Sequence, residues 1–163
     1  MQEGNLKIVD RKKNMFKLSQ GEYIAVEKVE NSLLSNWIQQ IYVYGDSFRS
    51  QVIAVIVPNP DQLAKYAKEN GLTAATTAEL CANPKVKKEV MDSLIARAKE
   101  TKLLGFEIPK AIHLESEPWT PENILTPTFK VKRADAKKLY ATQIDALYST
   151  LESVAGVTNI KQK

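Results

Sequence analysis

At 163 residues the chain is long enough for one domain with its own core and too short for two large ones. Its 44% hydrophobic and 26% charged residues exclude a disordered or fibrous class, and a single cysteine, Cys81, with a single histidine, His113, excludes an internal disulfide framework or a Cys/His zinc site. A formal charge of +4 suits a polyanionic partner, whether nucleic acid, a nucleotide, coenzyme A or an anionic membrane surface.

Along the chain, Leu6 to Ile24 alternates in short pieces, which predicts two or three short strands with turns at the basic cluster and at Gly21. Val26, Val29, Glu30 and Leu33 then recur at helical spacing and predict a short amphipathic helix. "IQQIYVYG" and "SQVIAVIVP" are rich in β-formers and are separated by the polar "DSFRS", so they predict an antiparallel hairpin at the centre of a sheet. After Pro60 a helix is expected to run to about Asn70, capped by Asp61 and ended by Gly71. A longer one is expected from Pro84 to about Thr101, with Val86, Val90, Leu94 and Ala98 on one face. "AIHLES" reads as a strand with a structural His113. The Pro-rich "EPWTPENILTPT" is a loop, and Ala134 to Glu152 reads as a helix carrying Tyr140, Ile144, Leu147, Tyr148 and Leu151 on one face. Residues 152–163 read as a flexible tail. The order of elements is that of an α+β domain, a small antiparallel or mixed sheet with an N-terminal β-hairpin and helices packed on it.

Several chemistries are absent. The six glycines are far apart, so no phosphate-cradling P-loop or dinucleotide fingerprint is present, and no serine sits in a G-x-S-x-G elbow. No apolar run reaches the roughly 20 residues of a membrane span, and the N-terminus lacks the apolar segment of a signal peptide. A reducing, cytoplasmic compartment is the expectation.

Two basic constellations remain, Asp10–Tyr23 ("DRKKNMFKLSQGEY") and Leu125–Arg133 ("LTPTFKVKR"). By composition each reads as a solvated charged edge that discourages sheet aggregation. The setting of Lys130 suggests more. Pro127 restrains the loop, Phe129 and Val131 are placed to anchor it in apolar surroundings, and a lysine held there presents a compact cation to phosphate or carboxylate oxygens. Lys17 and Glu30 have ordinary structural uses in a strand and at a helix start.

These two motifs, with the hairpin and helices between them and the closing "QIDALYSTL", resemble the C-terminal domain of adenylate-forming enzymes, within them the long-chain fatty acyl-CoA synthetase branch. The resemblance runs from Asn5 to about Glu152. It implies a mobile lid on a large N-terminal domain, absent here, that binds ATP, magnesium and the fatty acid; "MQEGN" reads as an artificial start, and residues 1–163 as a fragment inactive by itself. By resemblance, Lys130 is the catalytic lysine of acyl-adenylate formation and Arg11 contacts the ribose of the nucleotide. Lys13 is then the hinge, and Gly21 faces the pantetheine arm of coenzyme A after the domain rotates. It further implies no nucleic-acid partner and, for the full-length protein, peripheral membrane association. The Ser19-Gln20-Gly21 turn is one residue longer than in many relatives outside the long-chain branch, Ile124 stands where a glycine is usual in this branch, and Thr128-Phe129, where most of the superfamily has Ser-Gly, is a difference shared with long-chain enzymes. The competing reading is a small basic binding module for nucleic acid or an acidic partner. Against it, Trp37, Tyr42, Tyr44 and Phe48 fall on predicted packing elements instead of interleaving the basic runs.

Overall fold

The computed structural model describes residues 15–73 and 76–161, with side chains through residue 152. In chain order the elements are β1 (Met15–Lys17), β2 (Tyr23–Ala25), α1 (Val26–Leu33), β3 (Ile38–Tyr44), β4 (Ile53–Pro58), α2 (Pro60–Glu69), α3 (Thr77–Ala82), α4 (Pro84–Glu100), a 3-10 turn (Gly105–Glu107), β5 (Ile112–Leu114), α5 (Arg133–Leu139) and α6 (Ala141–Lys161). β1 and β2 form an antiparallel hairpin, and a separate sheet has the order β3-β4-β5. The architecture is α+β, as expected.

β4 is the centre of that sheet, and every one of its residues is buried. Its alternation divides two cores. Val52, Ala54 and Ile56 join Val26, Val29, Leu33, Val86, Val90 and Leu94 on the α1/α4 side. Ile53, Val55 and Val57 join Tyr42, Trp119, Tyr140, Ile144 and Tyr148 on the α5/α6 side. A strand covered on both faces has no polar alternation, which is why "VIAVIV" is a continuous apolar run. The hairpin expectation holds for β3 and β4, which pair from Ile38↔Pro58 to Tyr44↔Ile53. Its central place does not hold for β3, an edge, because β5 adds parallel to β4 through Ala54↔Ile112 and Ile56↔Leu114. A parallel partner needs a long crossover, here α2 to α4, and such a pairing leaves no local sequence signature.

The helices mostly follow their apolar periodicity. Val86, Val90, Leu94 and Ala98 are the buried face of α4. The cap of α2 is Asn59, not Asp61: the Asn59 side chain accepts from the Asp61 N–H at 2.9 Å, and Pro60 takes the first helical position, where its missing N–H has no intrahelical role. Asp61 acts instead on the positive end of the helix dipole. The same Asn-Pro device starts α4, where Asn83 accepts from the Lys85 N–H at 2.8 Å. Gly71 ends α2 as expected, with a φ of +64° that lets the Leu72 N–H reach the Ala67 carbonyl at 2.9 Å.

The single helix read over Ala134–Glu152 is two, α5 and α6, parted at Tyr140. Tyr140 is buried, and its hydroxyl accepts from Trp119 Nε1 at 2.7 Å and donates to Glu115 at 2.8 Å. These contacts lie far away in sequence and tie Tyr140 to the loop beneath. α6 is helical to Lys161, through the stretch read as a tail.

His113 sits in β5 with its ring centroid 6.1 Å from that of Tyr140. Burial pushes the imidazole below its ordinary pKa, with Glu115 opposing and Lys87 assisting. The unfolded imidazole therefore binds a proton that the folded one resists, so stability should be constant above about pH 6.5 and fall below it until the folded ring also titrates. Urea midpoints measured from about pH 8 to pH 5 should show this decline, and His113→Gln should flatten it. An unchanged slope in that variant would assign the decline to other groups.

Candidate functional site

The late motif folds as a short hairpin. Leu125 bridges Val131, the Thr126 N–H donates to the Lys130 carbonyl at 2.7 Å, and the Phe129 N–H donates to the Thr126 carbonyl at 2.8 Å. Pro127 fits the turn because its φ is preset there. Thr126 Oγ1 adds a bond from the Lys130 N–H at 3.1 Å. The base of the hairpin is pinned by buried Ile124 and Leu125, and the Lys132 N–H donates to the Ile124 carbonyl at 2.6 Å. Ile124, the departure from the usual glycine, is thus an anchor.

The expected anchors prove different. Val131 is half-buried, but the Phe129 side chain is 71% exposed and its backbone has a φ of +64°. Neighbouring strands cannot reveal this, because hairpin turn geometry, not hydrophobicity, sets the backbone at the last loop position.

The preceding loop is fixed from below. The Gln40 side chain donates to the Trp119 carbonyl at 3.0 Å and accepts from the Trp119 N–H at 2.8 Å, fastening the Pro-rich segment to β3. Lys130 thus rises from a rigid base with its side chain 53% exposed, and its ammonium lies 3.6 Å from the Glu27 carboxylate at the start of α1. Beside it is a groove of about 240 Å³ whose lining includes Glu27, Gln39, Trp119, Phe129, Lys130 and Arg133.

Arg133 and Glu30 form the second level. The guanidinium donates from Nη2 to Glu30 Oε1 at 2.6 Å and from Nη1 to Oε2 at 3.2 Å, while Oε2 also accepts from the Val43 N–H at 2.7 Å. This ties α1, β3 and the start of α5 together. Burial pushes the Glu30 carboxyl above its ordinary pKa, with Arg133 and the Val43 N–H pulling it back. Arg133 also lies 5.8 Å from the Tyr42 ring, whose hydroxyl burial pushes up to about 12. The sequence held a signal for Glu30, since an acid on an apolar helical face needs a buried partner. Nothing in the sequence indicated that the partner is Arg133, or that Glu27 meets Lys130.

The early motif is described only from Met15, so Arg11 and Lys13 lie outside the described residues. Gly21 turns the β1–β2 hairpin with a φ of +98°, and a Cβ there would meet only Lys17 Cε at 3.8 Å. Its glycine is required by backbone conformation, and the space around it is open. The turn is held by the β3–β4 tip: the Ser19 N–H donates to the Arg49 carbonyl at 3.0 Å, and Gln20 Nε2 donates to the Ser50 carbonyl at 3.1 Å. Gly45 lets the hairpin seat, because a Cβ on it would lie 2.6 Å from the Phe16 ring. Gly21 does not line the groove beside Lys130. Of the aromatics weighed for a stacking platform, Trp37 and Tyr42 are buried, whereas Phe48 at the β3–β4 tip is 88% exposed instead of packed.

Among the described residues no group of three or more His, Cys, Asp and Glu side chains could hold a metal ion, and no helix is long and apolar enough to cross a membrane.

No family model matches the chain. Curated relatives do. It is 47% identical over 150 residues to the long chain acyl-CoA synthetase 6, peroxisomal, of Arabidopsis thaliana, covering 91% of this chain and 21% of that protein. It is 47% identical to the fatty acyl-CoA synthetase B of Dictyostelium discoideum, covering 92% and 22%, and 43% identical to the human long-chain-fatty-acid–CoA ligase 6, covering 90% and 21%. Among solved structures, the A domain of a carboxylic acid reductase from Segniliparus rugosus, in complex with AMP and a co-purified carboxylic acid, superposes with a TM-score of 0.73 at 38% identity, covering 88% of this chain and 21% of that one. The A-PCP didomain of a carboxylic acid reductase from the same organism gives 0.72 at 40% identity, covering 91% and 19%. The chain spans about one-fifth of the length of the curated relatives it matches. Over that segment it is homologous to long-chain acyl-CoA synthetases, and the superposed structures are A domains of carboxylic acid reductases.

Proposed function

We propose that this chain is the mobile C-terminal lid of an ATP-dependent long-chain fatty acid–CoA ligase, working on a large N-terminal domain that binds ATP and the fatty acid. In the first half-reaction the fatty acid carboxylate attacks the α-phosphorus of ATP and pyrophosphate leaves. Lys130 enters there as a fixed cation that stabilises the negative charge gathering on the carboxylate and α-phosphate oxygens. In the second, the thiol of coenzyme A attacks the acyl carbon and AMP leaves. The lid has then turned, removing Lys130 and presenting the open face at Gly21 to the pantetheine arm. Arg11 holds the ribose hydroxyls, and Lys13 is the pivot. Magnesium, in this reading, accompanies ATP on the large domain and would supply neutralisation of the phosphate charge. The whole enzyme would work in the cytoplasm, with peripheral membrane contact.

The observation that carries this reading is the setting of Lys130, a lysine with a half-exposed side chain on a hairpin whose base is buried, in a chain homologous to acyl-CoA synthetases. Its contact with Glu27 at 3.6 Å is a weak surface pair, so an anion docking from outside can take the place of that carboxylate. The two-orientation part is tested at the hinge. Lys13→Pro in the full-length enzyme fixes φ and removes a donor, so it should spare acyl-adenylate formation and slow thioester formation from supplied acyl-adenylate. Both half-reactions surviving would remove Lys13 as the pivot.

A further inference from the structure

Phe129 carries two unfavourable features at once. Its φ of +64° lies in the left-handed region, which strains a non-glycine residue. Its ring is 71% exposed, so little of that strain is offset by packing within the domain. A hairpin loop that ends in a left-handed residue is ordinarily served by glycine, which meets the same geometry without strain or an exposed aromatic. The hairpin does not need a phenyl ring to fold, since its base is held by Ile124, Leu125 and the hydrogen bonds of Thr126 and Lys132. Phe129 immediately precedes Lys130, and both line the groove beside α1.

We propose that Phe129 is a positioning residue for adenylation: its ring docks into an apolar recess of the large domain as the lid closes and so fixes how far Lys130 reaches. The inference rests on the lid reading above. The large domain is the fitting occupant because whatever receives the Lys130 ammonium must also come against the neighbouring ring. Aromatic anchors desolvated at the centre of an interface carry much of its energy, and a ring on a pinned hairpin loses little entropy on docking.

The test uses the full-length enzyme with Phe129→Gly, Phe129→Leu and, in parallel, Lys130→Ala. Phe129→Gly should lower the rate of acyl-adenylate formation by roughly tenfold or more, the loss typical of a removed anchor. Thioester formation from supplied acyl-adenylate should be unchanged, and the loss should be the same for short and long fatty acids. Phe129→Leu, still apolar, should recover most of the rate. The melting temperature of Phe129→Gly should be no lower than that of the parent, because glycine relieves the left-handed strain. Full adenylation activity in Phe129→Gly, equal loss in both half-reactions or a lowered melting temperature would overturn the proposal. A loss that grows with acyl length would place the ring on the substrate, and lost binding to phosphatidylcholine vesicles with intact adenylation would place it on a membrane; either also overturns it. If Lys130→Ala retains adenylation while Phe129→Gly loses it, the catalytic role of Lys130 fails and with it the positioning of that lysine by Phe129, leaving only the docking of the ring.

Discussion

Glu30→Gln is expected to destabilise the domain by about 2–4 kcal/mol, somewhat less than the loss for a fully buried pair, because the Arg133 side chain keeps 22% of its exposure. Glutamine preserves the shape and can still accept from the Val43 N–H, so the substitution isolates the charge. What it leaves behind is a guanidinium enclosed by β3, α1 and the Tyr42 ring without a counter-charge; Arg133 Nε already has no hydrogen-bond partner among the described residues. Replacing both partners, Glu30→Leu with Arg133→Met, should cost less than the single change, since no unpaired charge remains. Urea denaturation at neutral pH gives the comparison. A loss below about 0.5 kcal/mol for Glu30→Gln would mean that the pair holds nothing in place. The functional consequence lies one step away. Arg133 stands just past the Lys130 hairpin, so loosening it should also blur where Lys130 points.

Lys130→Ala in the full-length enzyme is expected to slow acyl-adenylate formation roughly 100- to 1,000-fold, the range for removing one preorganised group that stabilises transition-state charge. Thioester formation from supplied acyl-adenylate should persist, because in the proposed cycle the lysine serves only the orientation of the lid that has then been left. Folding should be untouched: the side chain is half exposed, and its contact with Glu27 at 3.6 Å is a surface pair of small energy. Lys130→Arg should recover little, since a planar fork replaces a compact ammonium. Equal losses in the two half-reactions would remove the role assigned to Lys130.

Much of the fold was legible in the chain. The apolar rows of α1 and α4 follow from a period of 3.6, and the β3–β4 hairpin from two runs of β-formers parted by a polar turn, signals that local sequence carries directly. The motif around Lys130 was legible as a family resemblance, and the homology to acyl-CoA synthetases agrees with it. Three features were not. The Asn59 cap was passed over in favour of Asp61, although Asn-Pro is itself a start signal. The break at Tyr140 depends on a hydroxyl held by Trp119 and Glu115, contacts that periodicity cannot express. Phe129 was read as an anchor because it is apolar, whereas the turn turned it outward.

The sequence by itself determined which residues are apolar, which faces of α1 and α4 are buried, and that a lysine follows a proline-restrained turn, because those properties depend on near neighbours. Tertiary structure alone decided that β5 joins β4 in parallel, that Glu30 takes Arg133 as its partner, and that Lys130 projects from a buried base beside Glu27. Each of these joins segments far apart in the chain, and such pairings are chosen by the burial and charge balance of the whole domain, to which no local stretch of sequence has access.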